Sequence, residues 1–276
     1  MRILFIGDIF AKPGRNIVTE NLPKLIDDYH IHFVVANAEN SAHGFGMTHK
    51  IVKNLFRVGV DIITSGNHAF DNVDINNWLD DEPRVLRPYN WTMPHLMGRG
   101  VTVIKKDNIS LMVANIACRV FMKEEASDPF SAVDEIIEKH PLDSVTASFF
   151  DVHGETTSEK QALGHYVDGR ASMLVGTHVH IPTADTRVLA RGTAYQTDAG
   201  MCGIYNSVIG VNKAASINRM RATEPRIRFT PEEDGEATFC GVLADINENT
   251  GLAQQVAPIR IGGDLPSFIP NWAKIT

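Results

Sequence analysis

The sequence predicts an α/β fold built from two facing mixed sheets with helices outside them, four layers in all. Residues 2–64 alternate strand, helix, strand, helix and strand, a rhythm typical of parallel βαβ units. Two hairpin patterns later in the chain add antiparallel strands, so mixed sheets are expected. No internal repeat, low-complexity tract or clear linker divides residues 1–276, which favours a single domain.

The first five elements are predicted from apolar runs and the residues that bound them. Residues 2–6 form a buried strand that Gly7 and Asp8 end, and Pro13 and Gly14 are assigned to the loop after it. The elements that follow are a helix over 15–29 in which Pro23 permits a break, a strand over 31–36, a loop over 41–47, a helix from the N-cap Thr48 to 58, and a strand over 60–64.

The rest of the chain is predicted in the same way. Its elements are a hairpin over 101–106 and 109–116, a helix over 129–139, a strand over 144–152, a helix over 158–167, a strand over 173–175, a strand-like alternation over 187–196, and a final hairpin over 239–245 and 254–261. Residues 232–235 are predicted to form a turn or exposed loop.

Composition limits the class of protein. The formal net charge of -7 and the pI near 5.9 argue against a protein that coats nucleic acid or a membrane surface. The three cysteines are far apart and form no CxxC, which indicates free thiols in a reducing compartment. Neither a signal peptide nor an apolar stretch of membrane-spanning length is recognisable, so we expect a soluble, cytoplasmic protein.

Polar residues with metal-ligand chemistry follow five consecutive predicted strands. They are Asp8, Glu39, Asn40, Asn67, His68, His153, His178 and His180. Because the carboxyl ends of parallel strands meet at one edge of a sheet, these residues are expected to lie close together. If the strand before His178 ran straight to His180, side-chain alternation would put both imidazoles on one face. Each residue alone is better explained as a cap, a turn or a surface residue, and the joint pattern carries the metal-site hypothesis.

The donor set indicates a two-metal hydrolase. Seven of these residues, all except His68, supply carboxylate, amide oxygen or imidazole without thiolate, which suits Mn²⁺, iron or Zn²⁺. They would serve two ions about 3.5–4 Å apart with one carboxylate bridging, a pair that generates hydroxide from water and clamps phosphate oxygens. His68 could protonate the leaving oxygen, and Asp71 could orient it or be a surface residue.

The ordered set of motifs resembles the calcineurin-like metallophosphoesterases over residues 7–180. It departs from their general pattern at Phe10, where a histidine is usual, and at Glu39, where the bridge is usually Asp. With both departures, the chain resembles the YmdB-like bacterial phosphodiesterase family over nearly its whole length. The motifs that carry this closer likeness are Lys12-Pro13-Gly14-Arg15, Asn37-Ala38-Glu39-Asn40 and Gly66-Asn67-His68 with Asp71.

The resemblance implies a four-layer αββα sandwich, often oligomeric, with iron or manganese and activity on phosphodiesters such as 2′,3′-cyclic nucleotides. It implies that Asp8, Asn40 and His180 bind a first ion, that Asn67, His153 and His178 bind a second, and that Glu39 bridges the two. Asn40 would then replace the histidine missing at Phe10, and His68 would be the proton donor. The expected partner is a small phosphodiester, with neither a membrane nor a stable nucleic-acid complex.

Three alternatives remain open from the sequence. The chain could be a regulator or scaffold on this fold with weak catalysis, or a protein phosphatase, which the absence of the first-motif histidine disfavours. A Rossmann-type nucleotide-binding module is weakly supported, because the first loop has neither GxGxxG nor GK[ST]. The sequence assigns no role to residues 198–203, although they are expected to shape the site. His43 is expected to be solvated in its loop.

Overall fold

The computed structural model describes residues 1–222 and 224–272. The strands of this part of the chain are β1 (Arg2–Ile6), β2 (Asp8–Ile9), β3 (Phe33–Asn37), β4 (Ile62–Thr64), β5 (Val101–Lys106), β6 (Ile109–Ala117), β7 (Ala147–His153), β8 (Met173–Thr177), β9 (Arg187–Val188), β10 (Ala194–Gln196), β11 (Met201–Ile204), β12 (Ala237–Ile246) and β13 (Ala253–Ile261). The α-helices are α1 (Ala11–Tyr29), α2 (His49–Arg57), α3 (Pro129–Lys139), α4 (Thr157–Val167) and α5 (Lys213–Met220).

The strands form two mixed sheets within these residues. The first has the order β2-β11-β12-β1-β3-β4, with β13 also paired to β12. β1, β3 and β4 run parallel, whereas β12 is antiparallel to β1, β11 and β13. The second sheet has the order β5-β6-β7-β8-β10-β9, parallel from β6 to β10 and antiparallel at both ends. The carboxyl ends of β3, β4, β7 and β8 carry the polar residues singled out in the sequence.

The core consists of three apolar layers. Between the sheets, Phe5 and Phe149 are fully buried with their ring centroids 4.8 Å apart. Outside the first sheet, Leu22 of α1 and Val52 of α2 belong to a second cluster, and Val133 of α3 belongs to a third cluster that covers the second sheet with α4. The helices therefore cover the outer faces of both sheets, which confirms the predicted αββα sandwich.

Most predicted elements are present with ends shifted by a few residues. The prediction that Pro13 and Gly14 lie in a loop is wrong, because α1 already begins at Ala11. Proline is tolerated in the first turn of a helix, where the backbone N–H has no partner inside the helix. A Cβ on Gly14 would lie 2.2 Å from the carbonyl oxygen of Cys202, so glycine lets α1 approach β11 closely. The helix continues through Pro23 to Tyr29.

Other differences lie after β8. The alternation over 187–196 forms two short strands, β9 and β10, instead of one. β2, β11 and α5 were not predicted, since β2 and β11 are short and α5 has few buried residues. Thr48 caps α2 as expected, with its side chain accepting a hydrogen bond from the N–H of Ile51. Among the helices described, none combines the length and apolarity needed to cross a membrane.

Candidate metal centre

Polar side chains from both sheets meet where β3, β4, β7 and β8 end. Glu39 and Asn40 follow β3, Asn67 and His68 follow β4, His153 is the last residue of β7, His178 and His180 follow β8, and Asp8 begins β2. Direct contacts divide six of the seven predicted ligands into two groups, and Asp8 is placed with the second group because the resemblance assigns it to the same ion. We call them the His153 half (Glu39, Asn67, His153 and His178) and the His180 half (Asp8, Asn40 and His180).

In the His153 half, four ligand atoms converge. His153 Nε2 lies 2.8 Å from Asn67 Oδ1, 3.2 Å from Glu39 Oε1 and 3.1 Å from His178 Nδ1. One ligand atom from each of Glu39, His153 and His178 lies within 4.8 Å of the others. The second ring nitrogen of His178, Nε2, donates to Glu155 Oε2 at 3.1 Å, which leaves Nδ1 with its lone pair. Oxygen and nitrogen lone pairs that point at one another fit a bound cation.

A buried chain of hydrogen bonds orients His153. The Thr177 hydroxyl donates to Asp151 Oδ1 at 2.7 Å, so its lone pair accepts from His153 Nδ1 at 2.9 Å. In the neutral imidazole the proton therefore sits on Nδ1, and Nε2 is free to bind a metal. Asp151 is fixed in turn by Asn37 Nδ2 at 3.0 Å and by the Thr64 hydroxyl at 2.5 Å. These buried hydrogen bonds set the tautomer of His153, which is a proposed ligand.

The His180 half is oriented by main-chain carbonyls. His180 Nδ1 donates to the carbonyl of Ile209 at 2.9 Å, and Asn40 Nδ2 donates to the carbonyl of Gly44 at 3.1 Å. Each bond turns the other polar atom inward, so His180 Nε2 and Asn40 Oδ1 face each other at 3.3 Å with lone pairs on both. This pair has the chemistry of two ligands of one cation.

Asp8 is grouped with this half because the resemblance assigns it to the same ion as Asn40 and His180. Its Oδ2 accepts the backbone N–H of His178 at 3.2 Å. Its Oδ1 is buried and has no hydrogen-bond partner among the described residues. A buried carboxylate oxygen without a partner costs free energy, which a bound cation would recover. Both halves therefore fit metal ions on the chemistry of their donors.

The electrostatics favour positive charge at the centre. Burial alone would raise the pKa of Glu39, but His153 outweighs it and lowers this pKa to about 2. Burial opposes protonation of His153, yet Glu39, Asp8 and Asp151 raise its pKa to about 9. Burial and then His153 lower the pKa of His178 to about 3, which leaves that imidazole neutral. The carboxylate is thus ionised, and a proton on His153 Nε2 supplies the positive charge among Glu39, Asn67 and His178 that a metal ion would supply in its place.

Residues 198–203 hold both halves in place. Asp198 and Lys160 form a fully buried ion pair at 2.8 Å, and Asp198 Oδ2 also accepts the N–H of Val179 at 3.3 Å. The carbonyl of Gly200 accepts the N–H of Asp8 at 3.0 Å. Lys160 was missed in the sequence because its partner lies 38 positions away. The stretch thus has a positioning role that the sequence did not assign.

His68 lines the same cavity as residues of both halves. Its Nδ1 is 2.6 Å from Asp71 Oδ2, and its backbone N–H donates to Glu39 Oε2 at 3.1 Å. The ring of Phe45 contacts it edge-on at a centroid distance of 5.1 Å. With Nδ1 bonded to Asp71, Nε2 remains available toward a ligand. His43, in contrast, is exposed in the loop before α2, where the backbone has a positive φ.

The expectation that His178 and His180 share one face of a strand is wrong. β8 ends at Thr177, and both histidines have positive φ, 102° and 66°. The chain turns between them, so His178 reaches His153 while His180 reaches Asn40. One short motif therefore supplies a ligand candidate to each half. The two-residue spacing of the histidines in the sequence gives no sign of this turn.

A cavity of about 300 Å³ opens beside these residues. We call it the site cavity, and it is lined by Phe10, Glu39, Asn40, Gly44, Phe45, His68, Glu155, His178, Val179, His180, Ile209, Val211 and Phe229. Phe10 packs edge-on against His180 at a centroid distance of 5.5 Å. The cavity therefore combines an apolar wall with the proposed metal ligands, as is typical of a site for a small molecule.

Known proteins of the same family match almost the whole chain. A family model described as YmdB-like protein matches residues 4–259. The 2′,3′-cyclic-nucleotide 2′-phosphodiesterase of Bacillus subtilis is 44% identical over 264 residues, covering 96% of this chain and 98% of that protein.

Two solved structures agree with this match. A phosphatase from Mycoplasma pneumoniae has a TM-score of 0.88 at 34% identity, over 96% of this chain and 95% of that one. A hypothetical protein from Thermus thermophilus has a TM-score of 0.87 at 36% identity, over 96% and 100%. The resemblance inferred from the motifs is confirmed, and the chain belongs to the YmdB-like family, on the metallophosphoesterase fold.

Proposed function

We propose that the chain is a dinuclear metal-dependent phosphodiesterase that hydrolyses 2′,3′-cyclic nucleotides. The observation that carries the proposal is the convergence of metal-binding atoms in both halves, beside the ionised Glu39. The activity named for the Bacillus subtilis relative, at 44% identity, supports the choice of substrate.

Each half would hold one ion. The first would be bound by Asp8, Asn40 and His180, the second by Asn67, His153 and His178, with Glu39 between them. The mixture of imidazole, amide and carboxylate favours iron or manganese, and zinc is compatible with it. The ions, when bound, would supply a nucleophile from water and neutralise charge on the phosphate.

His68 is proposed as the proton donor. In the reaction, the oxygen of water forms a new P–O bond, one P–O bond to the ribose breaks, and the ribose oxygen takes up a proton. Asp71 holds Nδ1 of His68 at 2.6 Å, so the protonated ring would donate from Nε2. His68 lines the site cavity and is partly open to solvent, with 26% of its side chain exposed. It can therefore be reprotonated after each turnover.

The apolar wall of the site cavity is suited to a nucleobase. Phe10, Phe45, Ile209 and Phe229 face the same space as His68. Aromatic side chains stack on the faces of bases with little sequence preference. We also propose a cytoplasmic location, which the free, buried thiols of the three cysteines support.

The test is product-resolved hydrolysis of 2′,3′-cyclic AMP by anaerobically purified protein supplied with Mn²⁺ or Fe²⁺. We expect turnover by the wild type and none by Glu39→Gln, and the position of the phosphate in the product identifies the bond that breaks. Absence of turnover by a protein shown to carry both ions would reject this substrate and favour a regulatory role on the same fold.

A further inference from the structure

We propose that this enzyme also hydrolyses the 2′,3′-cyclic phosphate at the 3′ end of RNA oligonucleotides, whose upstream phosphates are bound by a basic surface beside the site cavity. The inference rests on the proposed function and extends its substrate from a mononucleotide to a polyanion. The basic surface consists of Lys213, Arg219, Arg221, Arg226 and Arg228.

The basic surface contrasts with the charge of the whole chain. Its five cations lie within residues 213–228, together with one acidic residue, Glu224, although the formal net charge of the protein is -7. All five side chains are exposed. Arg226 contacts Glu224 at 3.4 Å, but both are more than 70% exposed, so water screens the pair and a phosphate can compete for the arginine. A local positive field of this kind attracts polyanions.

The basic surface is continuous with the site cavity. Ile209, whose carbonyl holds His180, lies three residues before the N-cap of α5, Asn212. Phe229 lines both the site cavity and a neighbouring cavity of about 440 Å³. Arg219 and Arg226 line that neighbouring cavity. A chain whose terminal nucleotide occupies the site cavity would therefore extend past Phe229 onto these two arginines.

The same surface offers apolar side chains to bases. Arg219 lies over the ring of Phe229 at 5.3 Å. Ile217, Met220 and Ile227 are 52%, 79% and 49% exposed, an unusual density of exposed apolar residues next to cations. Single-stranded nucleic acids are bound in this way, with phosphates on Lys and Arg and bases on apolar or aromatic faces.

A separate surface near the start of α1 would repel a polyanion. Glu233 and Glu236 lie with Glu20 and Lys12 around a separate cavity near the start of α1. With three carboxylates and one ammonium group, that surface has a net negative charge. The strand would therefore leave across α5. The chemistry at its end is unchanged, since water supplies the new oxygen on phosphorus and a ribose oxygen leaves with a proton.

The experiment compares kcat/KM for a short oligoadenylate that ends in a 2′,3′-cyclic phosphate with kcat/KM for 2′,3′-cyclic AMP. The test variant is Arg219→Gln with Arg226→Gln. The matched control is Lys53→Gln with Arg57→Gln, which removes two exposed cations from α2. We expect the wild type and the control to prefer the oligonucleotide, and the test variant to lose that preference.

Salt provides a second readout. Two phosphate contacts predict a slope of about -1.4 in log kcat/KM against log salt for a single strand, so a roughly fourfold rise in salt lowers the oligonucleotide value about sevenfold. The test variant should lose most of this slope.

The outcomes separate the two proposals. Hydrolysis of 2′,3′-cyclic AMP without preference for the oligonucleotide, or an equal loss in both double variants, would reject the RNA substrate alone. A test variant that changed from oligomer to monomer and lost activity on both substrates would assign the basic surface to contacts between copies, and would reject it as well. Hydrolysis of neither substrate by metal-loaded wild type would reject the proposed function and this inference with it.

Discussion

The two halves of the centre are built by different means. In the His153 half, buried side chains fix the ligand candidates, through Thr177 and Asp151 behind His153. In the His180 half, main-chain carbonyls in loops fix the ligand candidates. The carbonyl of Gly44 holds Asn40, and the carbonyl of Ile209 holds His180. Side-chain support can be removed by point mutation, whereas main-chain support depends on the path of the loop. The two halves should therefore respond differently to substitution.

The difference between the two halves also bears on how a bound substrate would influence each of them. The loop that orients His180 lines the site cavity and leads directly into α5 and the basic surface. A ligand that moves this loop would move Ile209 and, with it, the hydrogen bond to His180. His153 lies at the end of β7, between β6 and β8, and is not among the residues that line the cavity, although Glu39 and His178 of its half are. We expect a substrate that displaces the loop at Ile209 to act on the His180 half first.

Glu39→Gln should have the largest effect, because it removes the carboxylate that we propose to bridge the two ions. The amide keeps the size of the side chain but loses the negative charge proposed to hold both ions, so both ions should be lost together. We expect turnover to fall by about 10³-fold or more, as loss of several kcal/mol of metal stabilisation implies. Metal content per chain and hydrolysis of 2′,3′-cyclic AMP measure the two losses.

The matched control for this substitution is Glu155→Gln. Glu155 lines the same cavity and bonds to His178, but it is half exposed and is not assigned to an ion. The amide oxygen of the introduced glutamine can still accept from His178 Nε2, so Glu155→Gln should keep both ions. Retention of two ions by Glu39→Gln would contradict the bridge and make the halves independent.

His68→Ala should have the next largest effect, and it should leave metal binding by both halves unchanged. Because His68 is assigned to proton transfer, we expect a loss of about 10²–10⁴-fold in kcat with metal content unchanged. His43→Ala provides the control, since His43 is exposed in a nearby loop and should have wild-type activity. If His68→Ala lost its metals, the assignment of His68 as proton donor would be wrong.

Thr177→Val should affect the His153 half alone. The substitution keeps the shape of the side chain and removes the acceptor for His153 Nδ1. Loss of such a partner typically weakens metal binding about 10–100-fold. The control is Thr238→Val, because Thr238 is fully buried and its hydroxyl has no hydrogen-bond partner among the described residues. Metal titration that resolved equal weakening of both ions would remove the distinction between the halves.

The sequence predicted the strands of the sheets better than it predicted the orientation of the candidate ligand side chains. Strand periodicity and boundary residues located β1, β5 and β6 to within a residue. The ordered motifs identified the family, and the structure brings their residues together at the strand ends. Hydrogen-bond partners far apart in sequence were invisible, as for Lys160 with Asp198. The turn between His178 and His180 was invisible too, because positive φ at a non-glycine residue leaves no compositional signal.

The smallest effect should come from moving one proposed ligand of the His180 half from Asn40 to the position of Phe10. In the wider superfamily, a histidine stands at the position of Phe10, and Asn40 is assigned here to compensate for it. The Phe10 ring lies edge-on to His180 at 5.5 Å, so an imidazole at this position would approach the same space. We expect Asn40→Ala to weaken binding of one ion, and Phe10→His in that background to recover about tenfold of it, within the range that a single supporting partner contributes.

The control for this exchange is Phe10→Leu in the Asn40→Ala background, which changes the packing without adding a ligand. Phe10 is 6% exposed and packs with Met201 and Val211, so each variant is first compared by thermal unfolding. Recovery by histidine and not by leucine would show that the half accepts either ligand. Equal metal affinity in the two double variants, at similar stability, would mean that the loop geometry set by Gly44 and Ile209, and not the identity of the third ligand, determines how this half binds its ion.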